Sequence, residues 1–400
     1  MASTPPVSRW ATDFDVLDPE YVENPFEIWD ELRQSCPIAH TNKRGSNWLP
    51  TRYADVTAIA HDIEHFSSLE VAVIPFEGEE PEEPVLPYGL PPISADPPLH
   101  TWTRRLLLPW FSHHRVEGYE ELTRSLCRSL IDGFIGEGRA DAAAGYAQQI
   151  PVRVIAHVLG VPGDLSDTFT GWVRDVLEFA EDDERRRNGM EGLINFFLPE
   201  MERRRTNPGP DLLSELLQTE VDGQPLDESL ILGAAALVLI AGVDTTWSAI
   251  GSSLWHLATH PEDCKRLVNE PEIWPLAIEE LLRAFSPVTM ARIVTTDVEF
   301  AGCPMNAGDR VLMNFPAANR DPEAYDDPGT VILDREHNRH VAFGSGIHRC
   351  AGSNLARMEL RVALEEWLGA IPEFHPADGE QVTWAGGQVR GPRKLPVVFP

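Results

Sequence analysis

Residues 343–352 read Phe343-Gly344-Ser345-Gly346-Ile347-His348-Arg349-Cys350-Ala351-Gly352, which sets one thiol among three glycines with a histidine two places before it. A short apolar run, His340 to Phe343, leads in, and a helical pattern begins near Asn354, so Cys350 is expected beside a helix N-terminus. That position favours thiolate over thiol, because backbone N–H groups and the helix dipole stabilise negative charge. Gly344, Gly346 and Gly352 would let backbone amides and a flat cofactor come close to the sulfur. The chemistry this suits is axial ligation of a haem iron, with Phe343 covering the ligand loop. Five residues at fixed offsets, F-x-x-G-x-H-x-C-x-G, make the pattern more specific than a lone G-x-G. A buried, inert cysteine in a glycine turn is one rival reading. A dinucleotide loop is another, and it fails because Arg349 stands where G-x-G-x-x-G needs its last glycine.

Other constellations could serve the same chemistry. Ala241-Gly242-Val243-Asp244-Thr245-Thr246 breaks an apolar run with an acid and two alcohols, and polar groups in such a place demand a reason. A local reason exists, since a Thr hydroxyl can bond back to the carbonyl four residues earlier. Glu280-x-x-Arg283 places opposite charges on one helical face, worth only a few tenths of a kcal/mol as a surface pair. His100-x-x-x-Arg104 puts two bases on one face, and bases of this kind suit carboxylate ligands. The pairs His61/His65 and His256/His260 have helical spacing but no H-E-x-x-H frame, so they read as packing and surface.

Together with the cysteine loop, these features resemble the cytochrome P-450 family, the thiolate-ligated haem monooxygenases, from the Pro25-Phe26 region to Gly391-Pro392. The resemblance implies haem b (iron protoporphyrin IX) on Cys350, in a loop shaped by Phe343, Gly344 and Gly352, with its propionates held by His100, Arg104, Arg292 and His348. It implies dioxygen as co-substrate beside the small Ala241 and Gly242, protons delivered by Asp244 and Thr245, and a structural trio of Glu280, Arg283 and Arg335. It implies NAD(P)H electrons arriving through a ferredoxin or a flavin/iron–sulfur reductase. Ile93, Leu237, Ala241, Val288, Met290 and Val389 would line a cavity for a small hydrophobic or aromatic substrate, which would be hydroxylated or O-dealkylated. The likeness is closest from Ala236 to Leu368, which resembles the haem domain of bacterial self-sufficient members fused to such a reductase. The sequence stops at Pro400 without that module, so the electrons are expected either from a separate reductase or from a portion of the protein beyond this sequence. A peroxide-driven peroxygenase is the nearest alternative, and the Asp244–Thr245 pair speaks against it; a haem-binding sensor without turnover is a further one.

The bulk properties agree. Four hundred residues with 42% hydrophobic content, no repeat and no low-complexity linker suggest one domain spanning 1–400. The polar, proline-containing start from Met1 to Trp10 suggests neither signal peptide nor anchor, and a cytoplasmic enzyme is expected. Five scattered cysteines exclude zinc knuckles and plant-type iron–sulfur spacing. A net charge of -30 argues against nucleic acid and anionic membranes as partners. Acid clusters at Glu77 to Glu83 and Glu178 to Glu184, whereas Arg335, Arg339, Arg349, Arg357 and Arg361 gather near the cysteine loop. Those arginines would either greet an acidic electron donor or form a solvated charged face, some of them pairing with the cofactor.

The elements that must position these residues read as mainly α with small β-sheets. Helical spacing covers Pro25 to Ser35, Thr51 to Asp62, Pro98 to Phe111, Glu117 to Gly136, Ala140 to Leu159, and Ser166 to Arg205 with a break near Asp182 to Asn188. Asp227 is a candidate N-cap for one helix running to His260, about 50 Å long at 1.5 Å per residue and stopped by Pro261. Strands are expected at Asn47 to Pro50, Ala291 to Glu299 and Arg310 to Asn314. The proline- and glutamate-rich Ser68 to Ser94 reads as a long loop. In the resembled family that loop roofs the substrate cavity, and the helices of Ser166 to Arg205 form its lid.

Overall fold

The computed structural model describes residues 6–76 and 84–400. The acidic cluster Glu77 to Glu83 therefore lies outside the described residues. The helices that position the site are α1 (Leu99–Leu107), α2 (Glu120–Asp132), α3 (Gln149–Leu159), α4 (Ser166–Leu177), α5 (Asp183–Thr206), α6 (Glu228–Thr259), α7 (Trp274–Ala284) and α8 (Ser353–Ala370). Strands β1 (Ile38–Thr41), β2 (Asn47–Pro50), β3 (Phe66–Ser67), β4 (Thr289–Val294) and β5 (Arg310–Asn314) form one sheet in the order β1-β2-β5-β4-β3. Only β2 and β5 run parallel in it. A hairpin of β6 (Thr383–Ala385) and β7 (Gly391–Lys394) lies nearer the C-terminus.

Helix α6 is the axis. Asp227 caps it by accepting from the Ser229 amide at 2.9 Å, and Pro261 opens the next helix at its first position. Every residue from Ile231 to Ile240 is buried, as expected for a helix apolar on all sides. Length and composition alone would let α6 cross a membrane, yet 72% of its most apolar window is buried inside the protein. Tyr146, Ile150, Val243, Trp247, Leu364 and Trp367 fill the core it shares with α3 and α8.

Three sequence expectations need correction. The helix expected over Ala140 to Leu159 begins instead as a strand, Arg139–Asp141, paired with Pro396–Val398, followed by a π-helical turn, Ala142–Ala147. The Asp141 side chain takes the Ala143 and Ala144 amides and starts that turn. The break between α4 and α5 falls at 178–182 rather than 182–188, because the Asp182 carboxylate accepts from the Arg185 amide and makes the charged stretch a helix start. The strand expected over Ala291 to Glu299 is two, β4 and a separate Val298–Phe300 paired with Cys303–Met305.

Glu280 and Arg283 are both fully buried on α7 and joined by two hydrogen bonds of 2.7 and 2.8 Å. Arg335 reaches the same carboxylate at 3.0 Å, so the expected trio exists. The Ile332 amide and Asn338 Nδ2 add two more donors at 2.8 and 3.1 Å. Removing charge from a buried ion pair strands its partners. Glu280→Gln should lower unfolding stability by about 3–5 kcal/mol, read as a lower urea midpoint; an unchanged midpoint would refute the role given to this carboxylate.

Candidate functional site

The cysteine loop is folded by its own backbone and by distant neighbours. The Cys350 amide donates to the Phe343 carbonyl at 2.8 Å, and the Gly344 amide to Val341 at 2.9 Å. Gly346 has φ +70°, and a Cβ there would run into the Ala60 carbonyl, so only glycine fits. His61 Nε2 lies 2.9 Å from Ser345 Oγ, and the Tyr53 hydroxyl donates to the Arg339 carbonyl. His65 pairs with Asp62, while His256 pairs with Asp263 and stacks on His260, and His61 and His260 are exposed, in keeping with packing and surface roles for the two pairs.

Cys350 is reachable by solvent although protein atoms crowd its sulfur. That crowding pushes the thiol pKa up, against the Gly352 amide and the charges of Arg104, Arg349 and Arg357. The helix start at Ser353 thus does not by itself make a thiolate. Metal coordination does, since a bound ion deprotonates a thiol outright.

The residues expected to hold propionates come together. The rings of His100 and His348 lie 4.2 Å apart. His100 Nδ1 and Nε2 and His348 Nε2 are buried without a hydrogen-bond partner among the described residues, apart from a loose approach of His100 to the Ile347 backbone. Burial, then Arg292, His100 and Arg104, lower the His348 pKa to about 3. Burial also lowers Arg292 to about 10, with Asp96 alone opposing it. Arg292 donates to the Ala291 carbonyl and Arg104 to the Arg349 carbonyl. The Asp96 carboxylate is taken up by Ser67 Oγ and the Ser68 amide. Orphaned donors and uncompensated cations are the complement of a ligand bearing two carboxylates. The residues present therefore fit haem.

On α6, Ala241 is exposed and Gly242 and Thr245 half-buried, whereas every other residue from Ile231 to Leu254 is buried. The helix opens on one turn. Gly242 has a role the sequence reading missed: a Cβ there would lie 2.5 Å from Ile155 Cγ1, so its smallness lets α3 pack against α6. Thr245 Oγ1 donates to the Ala241 carbonyl at 2.8 Å, the local bond foreseen as an alternative. Asp244 is buried and bonded to Arg393 Nη2 at 3.0 Å and to Ser248 Oγ at 3.3 Å. Burial raises its pKa despite Arg393. No motif marks Arg393, because its partner lies 149 positions away.

Of the expected cavity residues, Val288 and Val389 form a β-bridge, Met290 is half-buried on the adjoining β4, and Leu237 is buried one turn before Ala241. Ile93 is half-buried in the turn before α1. The arginines near the loop divide. Arg335, Arg357 and Arg361 pair with Glu280, Glu279 and Glu120, while Arg339 and Arg349 stay exposed.

Arg357 grips Glu279 with two bonds of 2.5 and 2.7 Å, and His340 adds a third at 3.0 Å. The Arg357 guanidinium also lies 4.5 Å from the Phe343 ring centroid, so this cluster ties α7 and α8 to the ligand loop. Burial raises the Glu279 pKa, but Arg357 and His340 outweigh it and bring it down to about 2. A depressed folded pKa means the stabilisation is complete above pH 4.5 and is lost as pH falls toward about 2. Glu279→Gln should flatten that acid limb of a thermal-stability profile; a limb of unchanged slope would assign it to other groups.

The sequence profile described as Cytochrome P450 matches residues 164–273 and 272–370. The chain is 36% identical over 354 residues to a probable cytochrome P450 127A1 of Sinorhizobium fredii (strain NBRC 101917 / NGR234), covering 88% of this chain and 83% of that protein. It is 34% identical over 383 residues to the mycinamicin IV hydroxylase/epoxidase of Micromonospora griseorubida, covering 93% and 94%. The crystal structure of CYP101J2 superposes with a TM-score of 0.86 at 28% identity, covering 100% of both chains.

Proposed function

This chain belongs to the cytochrome P450 family, and on that footing we propose that, as a monooxygenase, it hydroxylates or O-dealkylates a small hydrophobic or aromatic substrate with electrons drawn from NAD(P)H through a ferredoxin or flavin/iron–sulfur reductase. The observation that carries the reading is the pairing of an accessible Cys350 with the unpartnered ring nitrogens of His100 and His348 and the guanidiniums of Arg104 and Arg292, which no carboxylate answers. Haem b, when bound, supplies the iron at which dioxygen is bound and activated.

Cys350 would hold the iron, the Gly352 amide and nearby arginines would stabilise its thiolate, and the four bases would hold the propionates. Ala241, exposed on the open turn of α6, leaves room for a small molecule beside the helix. Thr245 must release the Ala241 carbonyl to offer its hydroxyl proton. Asp244, whose pKa burial raises, is suited to holding a proton in reserve. That acid–alcohol pair favours a monooxygenase over a peroxygenase. Val288, Met290 and Val389 present apolar surface, which excludes water and selects by size and shape. The exposed Arg339 and Arg349 stand beside a recess shared by Tyr53, His61, Ser345 and Ile347, and this face suits an acidic electron donor.

Titrating the ferric protein with small aromatic, alkyl and aryl-ether compounds should give a low-to-high spin shift in the ultraviolet–visible spectrum for those that bind. Absence of a thiolate–haem spectrum would end the reading. Thr245→Ala should keep consuming NADH while product per NADH falls at least about 10-fold and peroxide rises. Full coupling in that variant would remove Thr245 from proton delivery.

A further inference from the structure

One carboxylate stands near the bases at the cysteine loop without touching their side chains. Asp96 lies one turn before His100, whose amide donates to the Asp96 backbone carbonyl at 3.0 Å. The Asp96 carboxylate takes the Ser67 hydroxyl at 2.5 Å through Oδ2 and the Ser68 amide at 2.9 Å through Oδ1. Ser67 is buried on β3, where it pairs with Ile293, the residue after Arg292 on β4. Its hydroxyl oxygen accepts the Leu69 amide at 3.1 Å, so its one proton is committed to Asp96. These donors are neutral, and they fix the carboxylate while leaving its charge in place.

That charge reaches the bases. Asp96 is the group that opposes the effect of burial on Arg292, and it acts in the same sense on His100. No ion pair or side-chain hydrogen bond joins Asp96 to either of them among the described residues. Arg292 gives one donor to the Ala291 carbonyl, and its other donors have no protein partner among the described residues. Asp96 thus makes a buried guanidinium less costly while leaving its N–H groups for a ligand. The effect changes sign with the ligand. Without one, the carboxylate supports cations that burial disfavours; with a dicarboxylate in place, it is a third negative charge on bases that two would satisfy.

Resting on the haem reading above, we infer that Asp96 is a positioning residue, a fixed counter-charge that keeps Arg292 and His100 in place before haem enters and afterwards weakens the hold on its propionates and lowers the reduction potential of its iron. Haem affinity and the shape of the haem-free pocket are set against each other by one carboxylate. Ser67 and Ser68 serve this arrangement by holding the charge close to Arg292 but off its donors.

The test compares Asp96→Asn, Asp96→Glu and Ser67→Ala in the full-length chain by three measurements: the ferric–ferrous midpoint potential, the rate of haem transfer to apomyoglobin, and the urea midpoint after haem extraction. An asparagine oxygen still accepts the Ser68 amide, so Asp96→Asn removes the charge and keeps the frame. It should raise the midpoint potential, giving several-fold more ferrous protein at the wild-type midpoint, and slow haem transfer several-fold. In the haem-free chain the same variant should lower the urea midpoint. Asp96→Glu should hold the potential at the wild-type value. Ser67→Ala keeps the charge and loosens its seat, so it should speed haem transfer without raising the potential. Faster haem transfer or an unraised potential in Asp96→Asn would reduce Asp96 to a structural part and overturn the inference. So would a haem-free wild-type chain with no cooperative urea transition, because no pocket would then be shaped in advance. Wild-type protein that binds no haem would instead overturn the haem reading itself, a result separable from these.

Discussion

A carboxylate with no solvent exposure needs a full set of donors, and Glu280 is where this fold concentrates that demand. Two arginines, an asparagine and a backbone amide converge on it. The arginines do not stop there. Arg283 donates onward to the carbonyls of Asn319, Pro328 and Thr330, and Arg335 to those of Asp326 and Asp327. A stretch with no helix or strand of its own from 319 to 345 is thus hung from one charge. Asn319 passes the constraint on by accepting the Val341 amide at 2.7 Å, and Val341 leads directly into the cysteine loop. The position of the sulfur is therefore inherited from a carboxylate on another helix.

The distribution of positive charge tells a complementary story. In a chain of net charge -30, most buried or half-buried arginines are answered by carboxylates, as Arg124, Arg204, Arg357 and Arg393 are. Among the described cations without a carboxylate partner, Arg320 and Arg390 rest on carbonyls and aromatic rings, and Arg104 and Arg292 stand near Cys350 beside two histidines with open nitrogens. Uncompensated charge in an acidic protein is costly unless a ligand completes it. The site is legible as a site because its cations stand beside open imidazole nitrogens and a sulfur that solvent can reach.

What could be read from the sequence was what is encoded locally. The glycine-rich loop, the Asp227 cap, the strands Asn47–Pro50 and Arg310–Asn314 and the long apolar helix all follow from neighbours within a few residues, and the structure has them where expected. The propionate bases and Arg335 are marked by resemblance to a family pattern of spacing and by no local physics. Three things lay beyond both. The strand at Arg139–Asp141 exists because Pro396–Val398 pairs with it from the far end of the chain. Gly242 looked like open space beside a ligand, but its missing side chain is filled by Ile155. Arg393 had no neighbours to betray it, since its partners Glu178 and Asp244 are 215 and 149 positions away.

The approach of Ser345 to His61 joins positions 284 residues apart, and beside it Gly346 meets the Ala60 backbone. During synthesis the helix Tyr53–His61 emerges long before the loop that must dock on it. Contacts of such separation form late, after most of the loop-closure entropy has been met elsewhere. A change in the early helix Tyr53–His61 is therefore felt at the far end of the chain, because the loop that carries the sulfur rests on it through Ser345 and Gly346.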